Sequence, residues 1–550
     1  MSERDWETNV TILSGDINGD DQEDSPDFFK TDNARHVIWI DSDATGDTEI
    51  NGLTIKNGYA NNGSFDLSNY GGGIIVFGGA KISNCSFVQN YGVNGGGIYV
   101  DPTFTNDIEI DSCRFSNNRS ELGGGLYVKS DAVIVSNSLF ENNRAEDSGG
   151  AMVLESRSRS TILDCTFSRN EAEESGGAIY SYGSASEIKN SRFVQNRVFN
   201  QYGGAIFLSK PLNLLIVNFN IENSTFEFNR GDRGGDIACI RQRLNVKVSD
   251  SHFSNSGSWN VGGSFACFFG AKITFENSDF ISCSGDRGGV GYIQSNGSRC
   301  ELLTCRLDSN SANQGGALYI SGSEDVNNTI SLPQLTTRYC KFVGNMTRDY
   351  GGAIFAKNSK VAIFRSLIVG STAGLFSDSG GTIYTETSAG ISSQIEIIGS
   401  TIADNDINPV SGIVLKNESD LGSPELLLTN TILQNNRIRD NYGQIGSATV
   451  ISGGGNHCSD NTMTFALTQP MDLSDADAGF ADPGLDYRLL ANSPCVNTGV
   501  ILAGDTIDID SNNIIGLPDK GAFENIMVGV SEFFQDELFG ISIYLTQPQI

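Results

Sequence analysis

Three sets of residues in this sequence have types and spacings that could do chemistry. The first is a recurring aromatic position: Tyr99, Tyr127, Tyr180, Phe207, Tyr292, Tyr319, Phe355 and Tyr384, each four residues after the first glycine of a Gly-Gly pair. The aliphatic residues one position earlier, such as Ile98, Ile179 and Leu318, must point the other way along a strand. With the aliphatic side chains inside, the rings stripe the outside of one sheet. Rings repeated at the strand spacing of ~4.8 Å would offer faces to sugar rings and hydroxyls as polar handles. The same rings could instead be core, or a plain covering of the sheet.

The second set is acidic. Asp16, Asn18 and Asp20 have the alternate spacing of a calcium loop, although Asp21 stands where such a loop places glycine and Asp27 where it places glutamate. Glu171, Glu173 and Glu174, with the charged bends of flanking repeats, form a second possible calcium site. For both, the alternative is a solvated edge of weak ion pairs. The third set places Arg157 and Arg159 near Asp164, and Arg241 and Arg243 near Asp250, the mixture of base and carboxylate that a lyase would need. Neither forms a recognisable motif. His36, His252 and His457 are scattered, which disfavours a zinc site or a histidine-based triad. No catalytic residue is assigned.

The elements that position these residues are read from a repeat. Twelve Gly-Gly pairs run from Gly71 to Gly380, 24 to 36 residues apart. Between them recurs aliphatic-x-Asn-[Ser/Cys]-x-Phe-x-x-Asn, and apolar residues alternate as in strands. A period in the twenties without helical or leucine-rich patterning predicts one winding of a parallel β-helix. Equivalent residues then stack. Phe87, Phe115, Phe140, Phe167, Phe193, Phe226, Phe253 and Phe280 become an internal file of rings. Asn90, Asn118, Asn143, Asn170, Asn196, Asn229, Asn310, Asn345, Asn405 and Asn435 suit bends with left-handed backbone and can pair from winding to winding. The Gly-Gly pairs suit positive φ or close backbone approach.

The formal net charge is −30, from 36 Lys and Arg against 66 Asp and Glu. That balance argues against nucleic acid or an anionic membrane as partner. No run reaches the ~18 apolar residues of a spanning helix, and the start, MSERDWETNV, carries no secretory signal. Of the 11 cysteines, Cys85, Cys113, Cys165, Cys305 and Cys340 share a slot that serine fills in other repeats. That reads as a small buried site holding free thiols, with Cys85–Cys113 and Cys239–Cys267 close enough in register for a bridge.

The GGAI and FxxN marks, recurring together from Gly71 to about Asn435, resemble the polymorphic outer-membrane-protein repeats. The resemblance implies an all-β, right-handed parallel β-helix of the pectin-lyase-like superfamily. Downstream, Asp486-Tyr487-Arg488-Leu489, Ser493-Pro494-Cys495-Val496-Asn497-Thr498-Gly499 and Pro518-Asp519-Lys520-Gly521-Ala522-Phe523-Glu524 resemble the choice-of-anchor Q domain that ends many secreted bacterial β-helix proteins. Cys495, Val496, Asn497 and Lys520 depart from that family's residues. The stretch Val530–Tyr544 resembles the linker and first strand of a type IX secretion sorting domain, and RDWETNVTILSGDINGDD resembles an interior stretch of secreted β-helix proteins. These likenesses imply a Bacteroidetes-type lineage, a truncated product, and a parent protein that is extracellular or on the outer-membrane surface. The expected organisation is N-terminal coils at 1–70, β-helix repeats at 71–440, a cap over the last winding at 441–526 and a tail at 527–550. A monomer is expected, with calcium as the one cofactor the acidic loops allow. The expected function is non-enzymatic binding or adhesion, with a polysaccharide lying along the aromatic sheet. A polysaccharide lyase or glycoside hydrolase of the same fold, and a structural spacer without ligand, are the alternatives.

Overall fold

The computed structural model describes residues 8–21, 32–61, 67–101, 108–129, 133–155, 159–213, 216–295, 297–322, 332–374, 380–388, 391–407, 412–418, 422–436 and 442–525. The expected tail at 527–550 lies outside them. The described residues form a right-handed parallel β-helix, all-β, with three long parallel sheets of 17, 15 and 15 strands. The phenylalanine sheet includes Arg114–Ser116, Leu139–Glu141 and Thr166–Ser168. The tyrosine sheet includes Ile98–Val100, Leu126–Val128 and Ile179–Tyr182. The aliphatic sheet includes Ile108–Asp111, Val133–Ser136 and Val217–Glu222. The windings begin before Gly71, with Thr11–Ser14 paired to Leu53–Lys56, and run past residue 440, with Thr449–Ser452 paired to Glu425–Thr429.

The Gly-Gly bend was expected to need positive φ or close approach; the first glycine needs both and the second needs close approach alone. The first glycine is left-handed, as at Gly95 (φ 67°) and Gly176 (φ 65°). The second lies flat against a neighbouring backbone. A Cβ on Gly177 would sit 2.2 Å from the Gly204 carbonyl oxygen and 2.6 Å from that of Arg197. The Gly204 carbonyl belongs to the next winding's bend, and the Arg197 backbone to a fourth parallel sheet, here called the flap sheet. Its strands include Arg119–Leu122, Arg144–Ser148 and Arg230–Arg233. These segments read from the sequence as a solvated charged edge. They are strands because small residues alternate with the charges: Ser120, Ala145, Ala172 and Val198 are buried on the inner side.

Phe87 to Phe280 form the predicted internal file. Successive centroids lie 4.4 to 4.9 Å apart with nearly parallel planes, and every ring is fully buried. The asparagines pair as predicted, each Nδ2 donating to the Oδ1 of the next at 3.0–3.1 Å from Asn90 to Asn229. The second Nδ2 hydrogen goes to a backbone carbonyl, as from Asn118 to Phe87 at 2.9 Å. Two details differ. The left-handed residue is the one before the asparagine, for example Gln89, Asn117, Asn142 and Phe228, because the asparagine side chain must point inward to join the ladder. At the end of the file Asn405 pairs with Asn436, not Asn435.

The ladder breaks where Ser256 and Cys283 occupy its slot. There Asn229 Nδ2 donates to Asp236 Oδ1 at 2.9 Å, and Ser256 Oγ donates to the same oxygen at 2.7 Å. Asp236 is wholly buried inside the tube, and desolvation pushes its carboxyl up to about 7. Unfolded, it titrates near 4. A raised folded pKa means that the folded state holds the proton more tightly, so the stability this carboxyl contributes is fully present below pH ~4 and is lost as pH rises through ~7. The expected loss is on the order of 4 kcal/mol. Asp236→Asn should flatten that slope in urea titrations at pH 4.5 to 8 (a window around those pKa values). An unchanged slope would reject the assignment.

All eleven cysteines are free and buried. Cys239 and Cys267 are register partners, and burial holds the Cys113, Cys165 and Cys300 thiols in the protonated, unreactive form.

The C-terminal segment departs from the expected cap. Among its described residues, Tyr442, Cys458, Met463 and Leu467 join the tube core at its end. Residues 478–523 pack on the flank, where Ala478, Phe480, Tyr487, Leu489, Ile509 and Phe523 cover Leu367, Val369, Ala403 and Ile432. These last four lie on the outer face of the phenylalanine sheet, opposite the inward Ile368, Ile402 and Leu433. Gly521 N donates to the Asn430 carbonyl at 2.7 Å, an approach a side chain at 521 would block, since its Cβ would meet Ile432 at 2.8 Å.

Candidate functional site

The aromatic column falls in the predicted register. Tyr99 pairs with Tyr127, Tyr180 with Phe207, and Tyr292 with Tyr319, which pairs in turn with Phe355 and then Tyr384. The preceding aliphatic residues, including Ile98, Ile179 and Leu318, belong to the tube core, and the rings form separate clusters on the other side of the sheet. The inside-outside assignment therefore holds. The open stripe does not. Tyr99, Tyr127, Phe207, Tyr292, Tyr319, Phe355 and Tyr384 are at most 6% exposed, and only Tyr180 is half-buried.

Two causes bury them. The rings stack on one another, Tyr292–Tyr319 at 5.2 Å, Tyr319–Phe355 at 4.7 Å and Phe355–Tyr384 at 5.5 Å, all within 16° of parallel. Each face that a sugar would cover is taken by a neighbouring ring. The flap sheet then folds over the column, and Tyr70, Leu122, Tyr202, Val261 and Tyr350 from its ends pack against the rings. Val153, Ala238 and Ala266 take the ring position in three windings, so the column is broken into segments.

Toward the C-terminal half, the flap and the tyrosine sheet leave a groove of about 550 Å³. It is lined by Arg287, Tyr292, Gln294, Gln314, Tyr319, Ser321, Phe355, Lys357 and Glu386. The aromatic edges make its floor and polar groups its walls. Arg287 stands with its guanidinium carbon 5.8 Å from the Tyr319 centroid. Lys357 Nζ pairs with Glu386 at 2.8 Å. Burial pushes the Tyr319 phenol up to about 12, and raises that of Tyr292 against the opposing pull of Arg287. Sequence reasoning found Tyr292, Tyr319 and Phe355 but missed Arg287, Gln314 and Lys357. The first two stand immediately before a Gly-Gly pair and the third two residues after a ring, positions that carry a signal only once the flap is known to fold back.

Elsewhere the column is closed by local partners. Tyr99 donates its hydroxyl to Asp101 at 3.1 Å and Tyr127 to Glu155 at 2.9 Å.

The acidic sets do not converge. Asp16 Oδ1 accepts the Gly19 amide at 2.7 Å, closing a local turn, while Asn18 donates to Asp32 at 2.5 Å; position 27 lies outside the described residues. Glu173 pairs with Arg144 at 2.8 Å, Glu174 accepts from Gln201, and Glu171 lies between Arg144 and Arg197 in register. Arginines are thus the cations beside these glutamates. Among the described residues no three acidic, histidine or cysteine side chains gather where an ion could be held. No helix among them is long and apolar enough to cross a membrane.

Residues 36–226 match the family described as the right handed beta helix region. The metabotropic glutamate receptor-like protein P of Dictyostelium discoideum is 28% identical over 163 residues, covering 29% of this chain and 10% of that protein. The chain therefore spans about a tenth of the length of the curated relative it matches. Among solved structures, a PL6 alginate lyase in complex with a trisaccharide is 12% identical, with a TM-score of 0.31 over 69% of this chain and 84% of that one.

Proposed function

We propose that this β-helix is a non-enzymatic binding protein of the bacterial cell surface that holds a linear polysaccharide in the groove over Tyr292, Tyr319 and Phe355. The observation that carries the reading is the groove itself, with phenol, amide, guanidinium and ammonium groups converging over about 550 Å³. The lining is mostly polar over a narrow floor of aromatic edges, a make-up that suits a hydroxyl-rich ligand with many hydrogen-bonding groups. Because the ring faces are occupied by one another, recognition runs through ring edges, the Tyr hydroxyls and the Gln294 and Gln314 amides. The C-terminal segment, which resembles choice-of-anchor Q domains, fits a chain retained at the surface.

Turnover of the glycan is the less favoured reading. An acid-base catalyst needs a pKa near the working pH. Tyr319 sits far above it, and Glu386, the carboxylate in the groove lining, is held by Lys357 and lies 3.9 Å from Lys416.

A glycan array on the purified chain should return a linear polysaccharide. Arg287→Ala and Tyr319→Phe should each weaken it about tenfold, the value of one or two hydrogen bonds. Tyr99→Phe, in the closed part of the column, should not. Release of shortened sugars would favour the lyase or hydrolase, and an array without hits would favour the spacer.

A further inference from the structure

On the outer face of the flap sheet, away from the groove floor, we propose a second binding site in which Trp259, Arg197 and Phe199 take a pyranose bearing a carboxylate. Arg197 is the starting point. Its register neighbours are Glu171 on one side and Arg230 on the other, and Arg230 pairs in turn with Gly257. Trp259 is therefore two windings along from Arg197. Even so, the Arg197 guanidinium carbon lies 5.2 Å from the Trp259 centroid and 4.3 Å from that of Phe199. The side chain runs along the solenoid axis and lies against two rings.

Two other arginines on this edge are held by carboxylates. Arg144 reaches Glu173 at 2.8 Å, and Arg233 reaches Asp232 at 3.5 Å. Asp232, a carboxylate of the intervening flap strand, is also tied to Asn260. Arg197 forms no ion pair among the described residues, although Glu171 is one strand away and the chain carries a net charge of −30. An exposed ion pair and an exposed cation–π contact stabilise by about the same amount, so stability does not decide the arrangement. The contacts fix the guanidinium beside an indole, and its in-plane N–H donors make no hydrogen bond among the described residues. Trp259 remains 46% exposed. A flat aromatic surface accepts the C–H face of a pyranose, and an adjacent guanidinium reads a planar carboxylate through two parallel hydrogen bonds.

The test uses the full chain with a hexamer of β-1,4-linked glucuronic acid and the matching neutral glucose hexamer, followed by tryptophan emission at low salt. The charged hexamer should quench emission saturably and bind about tenfold more tightly than the neutral one. Trp259→Phe should remove most of the signal. Arg197→Gln should erase the preference for the charged hexamer while the neutral one binds as before, and Arg197→Lys should fall between. The groove variants Arg287→Ala and Tyr319→Phe should leave this signal intact, which separates the two sites. Equal binding of the two hexamers, or full binding by the Trp259 and Arg197 variants, would overturn the site. A glutamate hexapeptide that binds as well as the glucuronate hexamer would overturn its assignment to sugars.

Discussion

Replacing Arg365 by alanine is expected to release residues 478–525 from the flank while the windings stay folded. Arg365 occupies a left-handed corner slot (φ 41°) that Asn84, Asn137, Asn190, Asn223 and Asn277 fill in other windings. It is 2% exposed. Its guanidinium donates to Asp505 at 3.1 and 2.7 Å, to Glu524 at 3.1 Å and to the Gly521 carbonyl at 3.1 Å. One side chain of the β-helix thus ties three points of the C-terminal segment. Removing it leaves two carboxylates partly or wholly buried without their cation, at a cost of ~3–5 kcal/mol. The apolar contacts around Phe480, Tyr487 and Phe523 oppose release, so the segment should open locally before the rest unfolds. Hydrogen exchange should show protection lost across 478–525 and kept in Ile179–Tyr182. Arg365→Lys, which keeps charge but not the bidentate fork, should lie between the parent and alanine. A fully protected segment in the alanine variant would show that the apolar face alone holds it.

Much of this architecture was legible because a solenoid turns each residue slot into a column. Phe115 or Asn118 alone says little, but the same type repeated in register makes a prediction about stacking, and the coordinates agree. The side of the sheet on which the tyrosines lie was legible for the same reason, from strand alternation with Ile98, Ile179 and Leu318. What covers them was not. The flap strands are short, many of their outer positions are charged, and their inner positions hold mostly small residues such as Ser120, Ala145, Ala172 and Thr347. Such a strand looks like a polar bend until its backbone is seen against the second glycine. The site residues Arg287 and Gln314 were lost with it, since they line a groove only because the flap folds back. The flank was different: its signal stood in the sequence unread. Most phenylalanine-sheet strands read like Arg192-Phe193-Val194 or Thr225-Phe226-Glu227, with a polar residue beside the ring. From Leu367-Ile368-Val369 onward the outer face becomes largely apolar as well, with Leu367, Val369, Ala403 and Ile432 beside the polar Thr401 and Gln434. A sheet apolar on both sides must be covered on both. Arg365 in an asparagine slot marked the same place. The cap was expected at the end because an open edge invites one; the larger apolar demand lay on the side.

The second large effect is expected at Gly177. The two glycines of a pair look interchangeable in the sequence and are not. Alanine at Gly176 must adopt φ near +65°, a strain of ~1–2 kcal/mol, and its Cβ would also crowd the Ile179 carbonyl oxygen at 2.3 Å. Alanine at Gly177 meets no φ penalty. Its methyl group would instead lie 2.2 Å from the Gly204 oxygen and 2.6 Å from that of Arg197, the first on a backbone tied to the Gly234 carbonyl at 2.9 Å and the second in a parallel ladder with both neighbouring windings. Side chains can swing away from such a contact; backbones in register cannot without breaking those hydrogen bonds. Gly177→Ala should therefore cost more than ~4 kcal/mol, in the range reserved for overpacked cores. Gly19, left-handed at φ 72° but with nothing within 4 Å of a new Cβ, supplies the control: alanine there should cost only ~1 kcal/mol. Because each winding touches only its neighbours, the damage should stay local. Exchange protection should drop in Met152–Glu155, Ile179–Tyr182 and Ile206–Ser209, where the three windings meet, and persist in Gln394–Ile398. Uniform loss along the whole rod would mean instead that the windings unfold as a single cooperative unit, and the column-by-column account of stability would fail with it.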